Sequence, residues 1–316
     1  MEFNLRFKDR RKILYAIGII LLAIGIACIF IAPLEVMCFY LFIEGGRFSF
    51  EGFNFGSLMF SFIAIQIIGY YVIAAVFIPL GYGHLKLRYW SKTMSLALLW
   101  FWLVMGIPLT ILFTLALAAS KEPSLWLVIT IMPLMYPVIP AVLVWFYRRK
   151  DIEQTLRSKD KNKYQIKKIP MPVLVILFLF SFYIVVLQAL LLFRGMFPFF
   201  GILLFDLYGA FMISISIIIF LLLIWGLSRM KVWVWWLSVV YFGITAVSFI
   251  LTFSIKSLSD IYPFMNFALL EIEIFQNLPF QELRLSILMA VPFLATVAII
   301  IYSKRYFPFR RLNKNQ

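Results

Sequence analysis

The chain has 316 residues, of which 64% are hydrophobic and 14% charged, and its formal net charge is +15 at pH 7. Ionisable side chains are nearly absent from its long apolar stretches, which excludes a soluble domain. A pI near 9.8 would favour nucleic acid as the ligand of a soluble protein. Here the Lys and Arg residues lie between apolar stretches, so we expect no nucleic-acid partner.

The apolar stretches are long enough to be membrane spans, because a helix needs about 20 residues to cross a hydrocarbon layer. Spanning β-strands would alternate apolar and polar residues, whereas these stretches are apolar on all sides. A helix also satisfies its own backbone groups within lipid. The sequence therefore predicts an all-α, polytopic membrane protein with about eight transmembrane helices. The predicted spans are residues 13–33, 57–79, 94–119, 125–147, 173–193, 206–226, 234–253 and 284–303.

The first span follows five basic residues and shows no small-residue cleavage pattern ahead of Pro33. We therefore expect it to remain in the mature protein rather than to be a cleaved signal peptide. Cys28 and Cys38 would lie ~15 Å apart on one continuous helix, which is too far for a disulfide. Redox chemistry is not indicated.

The connectors between the spans differ in charge on the two sides of the membrane. With a cytoplasmic N-terminus, the cytoplasmic segments hold 24 of the 29 Lys and Arg residues against five acidic residues, a net charge of +19. The outer segments hold five Lys and Arg against nine acidic residues, a net charge of −4. Because Lys and Arg are retained on the cytoplasmic side during insertion, both termini should be cytoplasmic, and we expect a prokaryotic plasma membrane.

Two cytoplasmic hairpins share a motif in which Gly, two basic residues and Trp recur at identical spacing, 143 residues apart. We interpret the Gly as a helix end with positive φ, the bases as headgroup contacts and the Trp as an interfacial anchor. A substrate site made from the pair is the alternative. The motif residues are Gly83, Lys86, Arg88 and Trp90 in the first copy, and Gly226, Arg229, Lys231 and Trp233 in the second.

The repeated motif indicates two parallel four-helix halves, residues 1–147 and 172–316. A basic cytoplasmic linker, residues 148–171, joins them. Its nine Lys and Arg residues should attract anionic membrane lipids, with a soluble acidic partner as the alternative.

The fourth span contains Pro133, Pro137 and Pro140 along one helix face. Each proline removes a backbone hydrogen bond and bends the helix, which predicts a kinked helix and a candidate transport route or hinge. Proline is also tolerated in membrane helices without such a role. We expect the mid-span residues Gln66 and Gln188 to hydrogen-bond between helices, with substrate contact as the alternative.

Residues that perform catalysis are scarce. His84 is the only histidine, so no His pair can bind haem or a catalytic metal, and no Ser-His-Asp triad or phosphate-binding Gly-rich loop is evident. We expect no cofactor and no metal. Arg194 and Asp206 should form an ion pair at a helix end rather than a proton relay, and the lack of charges within the spans argues against ion-coupled transport.

Three functions are compatible with these features. The first is a non-enzymatic accessory or scaffold subunit of a membrane complex, whose contact with other subunits is the outer segment 254–283, predicted to include an interfacial helix. The alternative is a carrier or flippase-like transporter of an apolar or lipid-like molecule, not ion-coupled, with the bent fourth span and its eighth-span counterpart lining a route between the halves. An enzyme acting on lipid would have to use Glu35, Glu44, Glu271, Glu273 or His84, and no spacing recommends any of them.

Overall fold

A computed structural model describes residues 9–43, 45–48, 57–119, 126–160, 169–256, 260 and 285–307. The helices are α1 (Arg11–Phe42), α2 (Leu58–Leu85), α3 (Tyr89–Ala119), α4 (Trp126–Pro133), α5 (Ile139–Tyr147), α6 (Lys150–Lys159), α7 (Met171–Leu192), α8 (Asp206–Ser228), α9 (Val232–Ile255) and α10 (Leu285–Ser303). A π-helical segment, Leu134–Val138, joins α4 to α5, and a short 3-10 turn, Lys304–Tyr306, follows α10.

Within the described residues, seven helices are long and apolar enough to cross a membrane, the fourth being α4, the π-helical segment and α5 together. The chain is therefore an integral, multi-pass helical membrane protein. The helix α10 has 19 residues and lies where the eighth span was predicted. The eighth crossing, the two parallel halves and the cytoplasmic termini stay predictions, and "outer" and "cytoplasmic" below follow that predicted orientation.

Several helices extend beyond the predicted spans, most of all at the ends of α1 and α2. The first helix runs through Pro33 to Phe42, and α2 continues beyond residue 79, through Pro79, to Leu85. Hydropathy identifies the segment that crosses hydrocarbon, whereas a helix can continue into the headgroup region and beyond. Membrane helices also accommodate proline.

A short antiparallel β-hairpin was not predicted. Its strands, β1 (Phe197–Phe199) and β2 (Ile202–Leu204), lie in the outer connector between α7 and α8. The turn residues Phe200 and Gly201 both have positive φ, 42° and 94°, as two-residue hairpin turns that follow the strand twist require. The fold class all-α therefore holds for the spans but misses this element.

Close contact between α1 and α2 depends on glycine. A Cβ atom on Gly25 would lie 2.7 Å from Ile78 Cγ1, and one on Gly81 would lie 2.7 Å from Leu22 Cγ. Small residues allow membrane helices to approach in this way. The exposed positions of Ala16 and Ala23 show that the alanines at the same seven-residue spacing take no part in this contact.

The two predicted halves meet where α7 and α10 pack against α3. The core of the second half is aromatic, with Phe180, Phe220 and Phe242 nearly or fully buried. Tyr183 stacks on Phe220 and on Phe293, with ring centroids 6.0 and 5.7 Å apart. Such ring pairs contribute about 0.5–1.5 kcal/mol each beyond their buried area, so this cluster fixes how α7, α8, α9 and α10 are arranged.

Candidate functional site

The two repeated hairpins have the same backbone conformation. In the first, Leu87 has a positive φ of 49° and the Arg88 N–H donates to the Gly83 carbonyl at 2.8 Å. In the second, Met230 has a φ of 55°, and the Lys231 N–H donates to the Gly226 carbonyl at 3.1 Å. The shared sequence motif thus corresponds to a shared turn.

The motif glycines serve close packing rather than positive φ, which corrects the interpretation from sequence. A Cβ atom on Gly83 would lie 2.8 Å from Ser91 Cβ. At the equivalent positions of the second hairpin, a Cβ on Gly226 would overlap the side chain of Val234. The residue with positive φ in the first turn is Leu87 rather than a glycine. Its side chain is buried, and this packing holds it in the left-handed region.

The aromatic and basic residues of the two motifs have different surroundings. Trp90 lies against Gly83, whereas Trp233 is exposed, as an interfacial anchor would be. Lys86 and Lys231 are exposed. The Arg229 guanidinium lies 4.6 Å from the Trp225 ring centroid, a cation–π distance.

The linker contains a helix that is docked on the first half. Ile152 and Leu156 of α6 are fully buried, in a cluster with Leu14 of α1. Amphipathic spacing explains the docking, because residues four apart share one helix face. The segment 148–171 is therefore not a simple loop.

Two acidic residues of the linker form ion pairs with basic residues at the start of α3. Arg88 pairs with Asp160 at 3.2 Å, and Lys92 pairs with Glu153 at 3.1 Å. Asp160 also accepts the Tyr89 N–H at 2.9 Å, which caps the first turn of α3. Arg88 is thus used within the protein, while the contact of anionic lipid with the exposed bases of 148–171 stays a prediction.

His84 is fully buried where α2, α3 and α5 meet. Its Nδ1 lies 2.7 Å from the Leu80 carbonyl oxygen, and its Nε2 lies 2.6 Å from the Tyr147 hydroxyl. A carbonyl can only accept, so Nδ1 carries the proton and the Tyr147 hydroxyl donates to Nε2. Both ring nitrogens are occupied in a neutral imidazole, and this geometry favours a structural role over catalysis.

The fourth span, which contains the three prolines, packs along α3 through α4, the π-helical segment and α5. Pro133 and Pro137 are half-buried and Pro140 is buried. Pro137 lies inside the π-helical segment, a common result of removing a donor from the helical ladder. A Cβ on Gly106 of α3 would lie 3.2 Å from Tyr136 Cβ, so the π-helical segment lies against α3. Neither cavity described below is lined by these prolines, and their role as route or hinge stays a prediction.

The two glutamines differ. Gln66 of α2 donates from Nε2 to the Tyr70 hydroxyl at 2.6 Å and to Glu35 of α1 at 3.4 Å, so it links two helices as expected. Gln188 is exposed on α7, and among the described residues it has no hydrogen-bond partner. The expected link between helices is therefore seen at Gln66 only.

The ion pair predicted at the start of α8 is present. Arg194 Nε and Nη2 donate to the two carboxylate oxygens of Asp206 at 3.1 and 2.9 Å. The fork geometry is that of a bidentate pair. The Asp206 N–H also donates to the Arg194 carbonyl, so the pair closes the outer connector that contains the β-hairpin.

A cavity of about 190 Å³ lies between the predicted halves, lined by residues of α3, α7, α8, α9 and α10. Its described lining carries no charge. The hydroxyl of Tyr183 is engaged with Thr296 at 2.9 Å and with the Pro292 carbonyl at 3.3 Å. The cavity therefore presents apolar atoms, chiefly those of Met105, Leu109, Phe182, Leu187, Phe249 and Phe293. We call it the central cavity.

A second cavity, of about 180 Å³, lies between α8, α9 and the β-hairpin. We call it the hairpin cavity. Phe197, Phe199 and Phe200 form its outer wall, and no charged residue is among its described lining. Its polar groups are hydroxyls, those of Ser216, Tyr241, Thr245 and Ser248.

The sequence pattern did not point to these two cavities. Tyr241, Thr245, Ser248 and Thr252 follow one another at spacings of four, three and four, which places them on one face of α9. That spacing was the available signal. Which helices close around this face depends on packing between distant segments, which no local pattern shows.

Among the described residues, no group of three or more His, Cys, Asp and Glu side chains could hold a metal ion. Cys28 is buried and Cys38 is exposed, and both are free thiols. The outer segment 254–283 lies mostly outside the described residues, as do Glu44, Glu271 and Glu273.

Comparison with protein-family models, with curated proteins and with solved structures finds no match to this chain.

Proposed function

We propose that this membrane protein is a non-enzymatic carrier of an apolar or lipid-like molecule, which binds in the central cavity. The observation that supports this proposal is the position of an apolar cavity at the contact between α3 of the first half and α7–α10 of the second. Ligand sites are commonly apolar cavities of this kind, located between domains or helices. Movement of one half against the other would change access to it.

The lining also supports a carrier that is not coupled to ions. An ion pathway through a membrane requires charged or strongly polar groups facing it. The described lining of the central cavity offers only hydroxyls that already bond to protein atoms, such as Tyr183 with Thr296. A molecule bound there gains by removing apolar surface from its surroundings and by packing against the rings.

Filling the cavity tests this proposal. Leu109 of α3 lines the central cavity, and Leu109→Trp should occupy it. Ile111 lies two residues away on the same helix and is exposed, so Ile111→Trp is the matched control. Both variants are reconstituted in nanodiscs with a photoactivatable alkane, and labelled residues are mapped by mass spectrometry. We expect Leu109→Trp alone to lose labelling at Leu187 and Phe293, and absence of cavity labelling in the unsubstituted protein would overturn the proposal.

A second candidate, an accessory subunit, is favoured by a polar side chain, Gln66, on an exposed face of α2. The buried Ser61 of α2 donates to the Leu192 carbonyl at the outer end of α7. Gln66 lies five residues further along α2, about 7 Å deeper at 1.5 Å per residue, and its side chain is exposed. Polar groups exposed to lipid are costly, whereas they stabilise contacts between helices.

A photo-crosslinking residue at Gln66 should join a partner protein under this second candidate, while one at Tyr71, exposed on a different face of α2, should join only lipid. Equal lipid crosslinking at both positions would contradict it. The outer segment 254–283 is a further proposed contact with such a subunit.

A further inference from the structure

Only a few side chains lie between the central cavity and the hairpin cavity. Thr245 of α9 lines both. Phe220 of α8 lines the central cavity and Tyr241 of α9 lines the hairpin cavity. Their ring centroids are 5.6 Å apart in an edge-to-face arrangement. One pair of rings therefore divides two spaces of nearly equal volume.

The two spaces differ in chemistry. The central cavity is lined by apolar atoms, whereas the hairpin cavity contains the hydroxyls of Ser216, Tyr241, Thr245 and Ser248. The Thr245 hydroxyl donates to the Tyr241 carbonyl at 2.9 Å. Ser248 accepts the Phe200 N–H at 2.9 Å and donates to the Pro198 carbonyl at 3.1 Å. This cluster can exchange hydrogen bonds with a polar group.

We propose that the two cavities form one site for an elongated amphiphile with an uncharged, hydrogen-bonding head, such as a long-chain alcohol or a monoacylglycerol, and that Phe220 and Tyr241 act as the gate between its tail and head compartments. The tail occupies the central cavity and the head meets the hydroxyls beneath the β-hairpin. This proposal rests on the proposed function, because it names the class of molecule carried.

The absence of charge from both described linings selects against ionic heads. An ionised carboxylate or ammonium group placed there would lose its hydration without gaining a counter-charge, at a cost of several kcal/mol. A hydroxyl or ester group loses less and recovers it through the Ser216, Tyr241 and Thr245 hydroxyls. The site should therefore distinguish a fatty alcohol from an ionised fatty acid of equal length.

Two kinds of substitution test the site, one that removes hydroxyls and one that removes a ring of the gate. Tyr241→Phe keeps the ring and removes the hydroxyl, and Ser216→Ala removes a second hydroxyl from the hairpin cavity. Ser214 is an exposed serine on the same helix, so Ser214→Ala is the matched control. Phe220→Ala removes the partition, and its control is Phe211→Ala, where the ring is exposed on α8.

The probes are three diazirine-labelled chains of equal length, an alkane, a primary alcohol and a carboxylic acid, used on protein in nanodiscs at alkaline pH, where the acid is ionised even though the lipid raises its pKa. We expect the alcohol to label both cavities and the acid to label at least fivefold less. The Tyr241→Phe, Ser216→Ala double variant should lower alcohol labelling about fivefold, the factor that one hydrogen bond contributes, with alkane labelling of the central cavity unchanged. Phe220→Ala should let the alkane label the hairpin cavity.

Equal labelling by alcohol and acid, or no loss in the double variant, would overturn this inference while leaving the carrier proposal intact if the alkane still labels the central cavity. Failure of all three probes to label either cavity would overturn both. A Phe220→Ala variant that folds but leaves the alkane out of the hairpin cavity would contradict the gate.

Discussion

The Tyr147 hydroxyl donates a hydrogen bond of 2.6 Å to Nε2 of His84, and so joins the cytoplasmic end of the fourth span to that of α2. Both side chains are almost completely buried. Tyr147 also belongs to a buried cluster with Leu99 of α3 and Ile152 of α6. Helices α2, α3 and α6 and the fourth span therefore meet at this point.

Tyr147→Phe should destabilise the protein by about 1–3 kcal/mol, because it leaves a buried acceptor on His84 without a donor. Thermal unfolding in mild detergent measures this, with Tyr82→Phe as the control, since Tyr82 is exposed on α2. An unfolding temperature equal to that of the control would contradict the assigned hydrogen bond.

The contact between Lys92 and Glu153 should make docking of α6 depend on pH. Burial raises the pKa of Glu153, but the Lys92 ammonium and the Arg157 guanidinium outweigh this and hold the pKa below its usual range. A carboxylate whose pKa is lowered in the folded protein stabilises the folded state at pH values above 4.5, its ordinary pKa. That stabilisation is lost as pH falls through the lowered pKa. At neutral pH Glu153→Gln should loosen α6 by no more than about 1 kcal/mol, because Glu153 is partly exposed.

Hydrogen exchange of the α6 amides, followed as a function of pH, measures this effect. The difference between Glu153→Gln and the unsubstituted protein should shrink as pH falls below 4.5 and disappear below the lowered pKa of Glu153. Lys159→Gln on the same helix is the control, since Lys159 is exposed. A difference that persists unchanged in acid would show that the carboxylate charge is not its cause.

Substitution of the two motif glycines, Gly83 and Gly226, tests whether the repeated motif has the same structural role in both copies. Gly226→Ala should be strongly destabilising because its new Cβ would lie 2.2 Å from Val234 Cγ2. Gly83→Ala should cost less because the nearest atoms, Ser91 Cβ and Trp90 Cζ2, are 2.8 Å away. Val234→Ala should rescue Gly226→Ala. At Gly243 of α9 a Cβ meets no atom within 4 Å, so Gly243→Ala should stabilise the helix by up to about 1 kcal/mol. Unfolding in detergent ranks the four variants, and equal effects at Gly226 and Gly243 would contradict the packing argument.

Much of this architecture follows from local pattern, and the exceptions have physical causes. Each predicted span contains a helix because an apolar stretch of about 20 residues has few other stable forms in lipid. The β-hairpin was missed because Phe197–Leu204 is as apolar as its neighbours, and helix α6 was missed because charge dominates its composition. The two cavities were beyond prediction, since Leu109 and Phe293 meet only after α3 and α10 pack together.

The orientation itself is testable. With Cys28 and Cys38 replaced by Ala, single cysteines at the exposed positions Lys86 and Lys231 should react with a membrane-impermeant maleimide only after the cells are opened. A cysteine at Arg194 should react in intact cells. The reverse pattern would place the linker outside and contradict the inference from charge.

A triple substitution, Pro133→Ala, Pro137→Ala and Pro140→Ala, distinguishes a role of these prolines in transport from a role in ligand binding. Restoring three backbone donors should straighten the π-helical segment and move Tyr136 away from Gly106, with which it is now in contact. Since neither described cavity is lined by these prolines, labelling of the central cavity by the photoactivatable alkane should change less than twofold. Transport of the carried molecule in vesicles should fall if bending of this span accompanies movement between the halves. Unchanged labelling with unchanged transport would show that the bend serves packing against α3 alone.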